Sequence, residues 1–156
     1  MEAVAVVGFV VPPGPSTPGA DIGHDIFSIS RDGQVRRLTH LTDHYGRLLT
    51  ISPAGLSWSP DARYLAFWIL YPDSPGLNWE LVVYDTTAQK ATDYCITNAG
   101  GSIRPLDAPI WSPDGRQLLV ESRDAQGNNR VVILDLAQET AFLLSDNAYA
   151  AGWLAP

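Results

Sequence analysis

The sequence predicts an all-β protein made of three tandem four-stranded units. Three observations carry that expectation. First, WSPDARYLAF (Trp58 to Phe67) returns as WSPDGRQLLV (Trp111 to Val120) with six of ten positions identical, and a third start, WLAP, runs from Trp153 to Pro156. Second, the strand-like segments DIFSIS, ELVVYD and RVVILD recur, each followed by a short turn of polar or small residues (RDGQ, TTAQ, LAQE). Third, the chain holds 13 glycines and 12 prolines, and no stretch of ten or more residues carries a clean 3.6-residue period. A repeat recurring about every 50 residues indicates a stacked or radial architecture.

Taken in order, Ala3–Val11 (AVAVVGFVV) aligns with Tyr64–Pro72 (YLAFWILYP), so the chain opens on the second strand of a unit. A Pro- and Gly-rich loop over Pro12–Gly23 precedes expected strands at Asp25–Ser30 and Gln34–Thr39. A longer loop, His40–Ala54, leads to a first strand at Gly55–Ser59. The second unit continues through Tyr64–Leu70, Trp79–Asp85 and Lys90–Ile96, with loops at Tyr71–Asn78 and Thr97–Asp107. The third follows with Ala108–Ser112, Arg116–Ser122, Asn129–Asp135 and Glu139–Leu144, with a loop at Arg123–Asn128. Ala148–Leu154 aligns with the first strands around Trp58 and Trp111 and is expected to be a strand itself. Short strands at regular spacing, joined as four-stranded antiparallel meanders, fit the blades of a β-propeller.

Each W-S-P-D copy reads as strand, tight turn, strand. Pro60 and Pro113 suit the first central position of a type I turn, where φ near −65° is wanted and no N–H is needed. Asp61 and Asp114 follow, and Gly115 takes a left-handed position. Ala62 occupies the equivalent place in the first copy, where it is expected to bear a left-handed penalty of about 1 kcal/mol. Trp58 and Trp111 are expected as large apolar anchors packed between repeats, and Trp153 as the start of a third copy of the motif.

Composition narrows the function. At 156 residues with 46% hydrophobic content, the chain has the makings of one domain with a sizeable core. Its net charge of −7 argues against nucleic acid and anionic membranes as partners, since both require a basic face. Cys95 is the single cysteine, so no internal disulfide or cysteine metal cluster is possible, and a small buried hydrophobe is expected there. Met1–Val11 is apolar but lacks a basic n-region, and is too short to span a bilayer. A soluble chain is expected.

The tandem W-S-P-D-G-R-x-L motifs, followed by the V-V-I-L-D strand, resemble the WD-repeat-like propellers of the TolB family. A similar repeat occurs in the propellers attached to prolyl-oligopeptidase-type peptidases. The resemblance covers nearly the whole chain, with two departures: Ala62 for the motif glycine, and W-L-A-P for W-S-P-D. It implies a propeller fold, typically of six or more blades, and members that often work outside the cytoplasm.

Counting strands sharpens the expectation. The chain holds three first, three second, three third and three fourth strands, as repeats over residues 1–59, 60–112 and 113–156, cut at the inner hairpin. Three blades are fewer than the roughly four to eight of a ring, and an open arc exposes strand edges that invite pairing. Two copies joined head to tail, with residues 148–154 of one against residues 3–10 of the other, would close a six-bladed homodimeric ring. The alternative is a piece of a longer propeller, natural or constructed.

Meander parity places the longer loops on one face, where function concentrates on a rigid scaffold. Candidate binding residues there are His24, His40, Asp43, His44, Arg47, Tyr71, Asp73, Arg104, Asp107, Arg123 and Asp124. His40, Asp43 and His44 offer metal-ligand side chains without a third supporting motif. The Asp124–Asn128 run lacks the acidic spacing of a calcium loop. Gly55–Ser59 lacks the final glycine of a nucleophile elbow, and no catalytic constellation or cofactor motif emerges. The expected function is therefore a non-enzymatic scaffold binding a protein or peptide. The alternatives are an assembly unit without a ligand and the propeller portion of a peptidase.

Overall fold

The computed structural model describes residues 3–10, 23–41, 53–71, 78–98, 107–124 and 126–154. Their regular structure includes eleven β-strands. The first blade contains β1 (Ala3–Val10), β2 (Gly23–Ser30) and β3 (Val35–Arg37). The second contains β4 (Ala54–Trp58), β5 (Tyr64–Tyr71), β6 (Asn78–Asp85) and β7 (Lys90–Asn98). The third contains β8 (Ile110–Trp111), β9 (Gln117–Arg123), β10 (Asn129–Asp135) and β11 (Thr140–Asp146). Within each blade, successive strands pair antiparallel. One parallel bridge, Asn98 to Arg123, touches the second blade to the third. Among the described residues no helix is long and apolar enough to cross a membrane.

The S-P-D turn explains why the repeat is conserved within the chain. In the first copy, the Ser59 hydroxyl donates to Asp61 Oδ1 at 2.6 Å and accepts from the Tyr64 amide, while Asp61 accepts the Arg63 amide. The second copy repeats each bond: Ser112 to Asp114 at 2.6 Å, the Gln117 amide to Ser112, the Arg116 amide to Asp114. Serine and aspartate thus satisfy the turn's own amides, as side chains that compete with the ladder are suited to do. The hydroxyl bond and the backbone amide hold the Asp61 and Asp114 carboxyls below the usual range. Ala62 has φ 58° and Gly115 has φ 70°, so the alanine does adopt the left-handed backbone.

Strand β5 shows how the core is divided. Leu65, Phe67 and Ile69 pack with Ile26, Leu38, Leu41, Val82 and Tyr84 against the first blade. Ala66 and Trp68 point the other way, into a cluster with Leu81, Val83, Trp111, Leu118 and Val120. A strand covered on both faces has no reason to alternate polar with apolar, which is why YLAFWIL reads as one continuous apolar run. Trp111 is buried between blades, stacked on Tyr64 with ring centroids 6.0 Å apart and planes 19° apart.

Two expectations fail. Ala148–Leu154 forms no ladder with any described strand. It lies against β8 instead, because the Trp153 indole N–H donates to the Ile110 carbonyl at 3.0 Å. Cys95 is exposed rather than buried. A bulge in β7 puts it at φ 52°, with its amide bonded to Asp93 Oδ1, and that local reversal turns the thiol outward.

Candidate functional site

Inter-blade grooves are the concave surfaces of this arc. The first lies between β3 with its following residues and the β6–β7 hairpin, with a volume of about 410 Å³. Arg36, Arg37, His40, Tyr84 and Lys90 line it. The wall at Arg37 is fixed by the buried carboxylate of Asp25. That group accepts Arg37 Nε at 3.0 Å, the Thr39 hydroxyl at 2.9 Å and the Leu41 amide at 2.7 Å. Thr39 in turn accepts the Ile26 amide at 2.9 Å. A buried carboxylate with each neighbour bonded rigidifies the segment it organises. Arg37 is committed to Asp25, whereas Arg36 and Lys90 are exposed, so the groove concentrates positive charge in a chain of net charge −7. Burial raises the phenol of Tyr84, which keeps its ring as a neutral wall.

The second groove, about 650 Å³, lies between the second and third blades. Arg123, Asp124 and Arg130 contribute its charges. Arg123 Nε donates to Asn129 Oδ1 at 3.0 Å. Asp124 accepts the Gln126 and Asn128 amides, each at 2.9 Å, and pairs with Arg130 at 3.3 Å. The Asn128 bonds depress its carboxyl, and Asp124 organises its own loop.

A carboxylate pair also emerges at the β7 bulge. Desolvation, and next the Asp93 carboxyl bonded to it, raise the Glu80 carboxyl to about 7.

Those expected binding residues that lie among the described residues are not gathered in one place. His40 enters the first groove; Arg123 and Asp124 enter the second. His24 is half-buried at the start of β2, opposite Phe9. Asp107 is exposed, and its backbone carbonyl accepts the Trp68 indole N–H at 3.2 Å. Tyr71 ends β5 opposite Asn78. Asp43, His44, Arg47, Asp73 and Arg104 lie outside the described residues, and so does the proposed His40–His44 ligand set beyond His40. Sequence reasoning missed Arg36, Tyr84 and Lys90, which meet only through packing of two blades. It also missed Glu80 and Asp93. Their signal was present as one acid inside the apolar run NWELVVYD, but a bulge sets the pairing.

Solved structures match at low identity. TolB from Acinetobacter baumannii shares 19% identity at a TM-score of 0.55, covering 89% of this chain and 30% of its own. The β-propeller domain of the Trilobed protease from Pyrococcus furiosus shares 16% at 0.57, covering 94% and 39%. An oligogalacturonate lyase in complex with manganese shares 15% at 0.53, covering 78% and 29%. The chain has a TolB-like β-propeller fold. It spans between 29% and 39% of the length of these three structures. No family model and no curated protein matches it. The propeller scaffold is common to neighbours with different activities, so fold alone selects none of them.

Proposed function

We propose that this propeller is a non-enzymatic scaffold that recognises a protein partner through a short acidic peptide segment. The observation that carries the reading is the first groove, where exposed Arg36 and Lys90 flank His40 and the Tyr84 ring in an otherwise acidic chain. Carboxylates of an extended peptide would meet the two cations, and an apolar side chain would cover the tyrosine. Placing cations on a groove whose floor is locked by Asp25 limits the reorganisation that binding requires.

The test is titration of fluorescent acidic and neutral decapeptides, read by anisotropy at low and physiological salt. Acidic peptides are expected to bind more tightly, with affinity falling as salt rises. The double substitution Arg36→Glu and Lys90→Glu should weaken binding at least about tenfold. Equal binding of neutral peptides, or binding untouched by the substitutions, would overturn the assignment. Sustained turnover of aminoacyl or peptidyl chromogenic substrates by the purified chain would overturn its non-enzymatic part. The match to the Pyrococcus furiosus protease propeller favours one second reading, a propeller that serves a peptidase.

A further inference from the structure

The tryptophans of the repeat form a series of hydrogen bonds that link blade to blade. The Trp111 indole N–H donates to the Ser57 carbonyl at 3.0 Å, and that of Trp153 to the Ile110 carbonyl at 3.0 Å. In both cases the acceptor belongs to the residue just before the preceding motif tryptophan. Trp58 is the first member of the series. Its indole nitrogen is buried and has no acceptor among the described residues. A buried donor without an acceptor is unfavourable, so such groups point to a missing partner. The strand that would supply it is the inner strand of the first blade. Among the described residues, β1 pairs with β2 alone.

The ladder registers specify what fits there. Trp58 lies opposite Leu65 and Trp111 opposite Leu118. Leu65 and Leu118 in turn pair with Tyr84 and Leu134, the residues just before the aspartates that end their third strands. Val4 pairs with Ile29 in the same place, which makes Val4 the position an incoming motif tryptophan would face. The preceding residues, Ser57 and Ile110, face Ala66 and Leu119, and their equivalent is Ala5.

The chain carries a segment of this description. Ala148–Leu154 is laid along the third blade by the Trp153 indole bond and by the Ala150 amide, which donates to Glu121 Oε1 at 2.8 Å. Trp68, the counterpart of Glu121 in the second blade, also bonds to the segment before Trp111, there donating its indole N–H to the Asp107 carbonyl. The segment is therefore docked where the inner strand of a following blade would lie, without forming a ladder itself. Bound there, it is separated from its own β1 by the intervening blades. The outer blades also present apolar side chains: Val35, opposite Ile29, is 64% exposed, and Phe142 and Leu144 are 53% and 61% exposed.

We propose that a second copy of this chain supplies its Ala148–Leu154 segment as the inner strand of the first blade. The Trp58 indole then donates to the carbonyl of the partner's Gly152, and the partner's Trp153 lies opposite Val4. The exchange is reciprocal, so two copies close a ring of six blades with both apolar ends covered.

Sedimentation equilibrium on the chain and on its Trp58→Phe variant tests this, with circular dichroism to confirm that the variant is folded. The phenyl ring keeps an aromatic side chain at this position and removes the donor, at the cost of some contact area. The chain should sediment at twice 16.9 kDa, and the substitution should raise the dimer dissociation constant about tenfold or more, since each ring contains the bond twice. Hydrogen exchange on the unsubstituted chain supplies a second readout, in which protection of residues 3–10 rises with protein concentration. A monomer, an open polymer of mixed mass, a dimer indifferent to Trp58→Phe, or concentration-independent exchange at residues 3–10 would each overturn the proposal. A monomer would leave peptide binding in the first groove still testable, because that groove lies within one chain.

Discussion

Ala62 carries backbone strain that its counterpart Gly115 does not. With φ at 58°, the alanine sits where an L side chain crowds the following carbonyl, while Gly115 accepts φ 70° freely. Ala62→Gly should therefore raise unfolding free energy by up to about 1 kcal/mol in denaturant titration, reduced by the greater freedom glycine gives the unfolded chain. A clear loss would show that the alanine methyl has a packing role.

Glu80 makes a pH-dependent contribution of the opposite sign to most surface acids. Its carboxyl is raised from 4.5 to about 7 by desolvation and by Asp93, so the folded chain holds a proton that the unfolded chain releases. Stability from this group is present below about pH 4.5 and is lost as pH rises through about 7. Glu80→Gln should flatten the dependence of the urea midpoint on pH between about 5 and 8, with the variant gaining most at the upper end. An unchanged slope would mean that Asp93 does not share a proton with it.

At the scale of elements, much was legible because the repeat doubles every signal. The S-P-D turn appears twice with the same spacing, and the structure shows its side chains closing the same bonds twice. The strands themselves followed from short runs between turn residues, with β10 starting and ending where expected. What the sequence did not reveal depends on contacts between elements. The β7 bulge turned Cys95 outward and joined Glu80 to Asp93, and no local pattern announces where the ladder slips, here by two residues. The basic groove likewise exists because β3 and the β6–β7 hairpin come from different blades. The charge-reversal pair at Arg36 and Lys90 probes that arrangement: it should abolish preference for acidic peptides while leaving the thermal midpoint within a few degrees, because both side chains are exposed. A collapse of stability would assign them to the fold instead.

For the whole molecule, the central claim is that three blades are half of a closed unit. Three observations support that proposal. Among the described residues, the first blade has three strands, the Trp58 indole has a buried donor without an acceptor, and the segment docked on the third blade carries the matching motif. Multi-blade rings avoid sheet edges by completing the circle, and a strand exchanged between copies does so without adding residues.

The most direct measurement is absolute mass by light scattering on a sizing column, for the full chain and for a chain ending at Asn147. A sharp species at twice 16.9 kDa is expected for the full chain, and a folded species at single-chain mass for the shortened one. A compact monomer of the full chain, or a shortened chain that keeps the doubled mass, would contradict it.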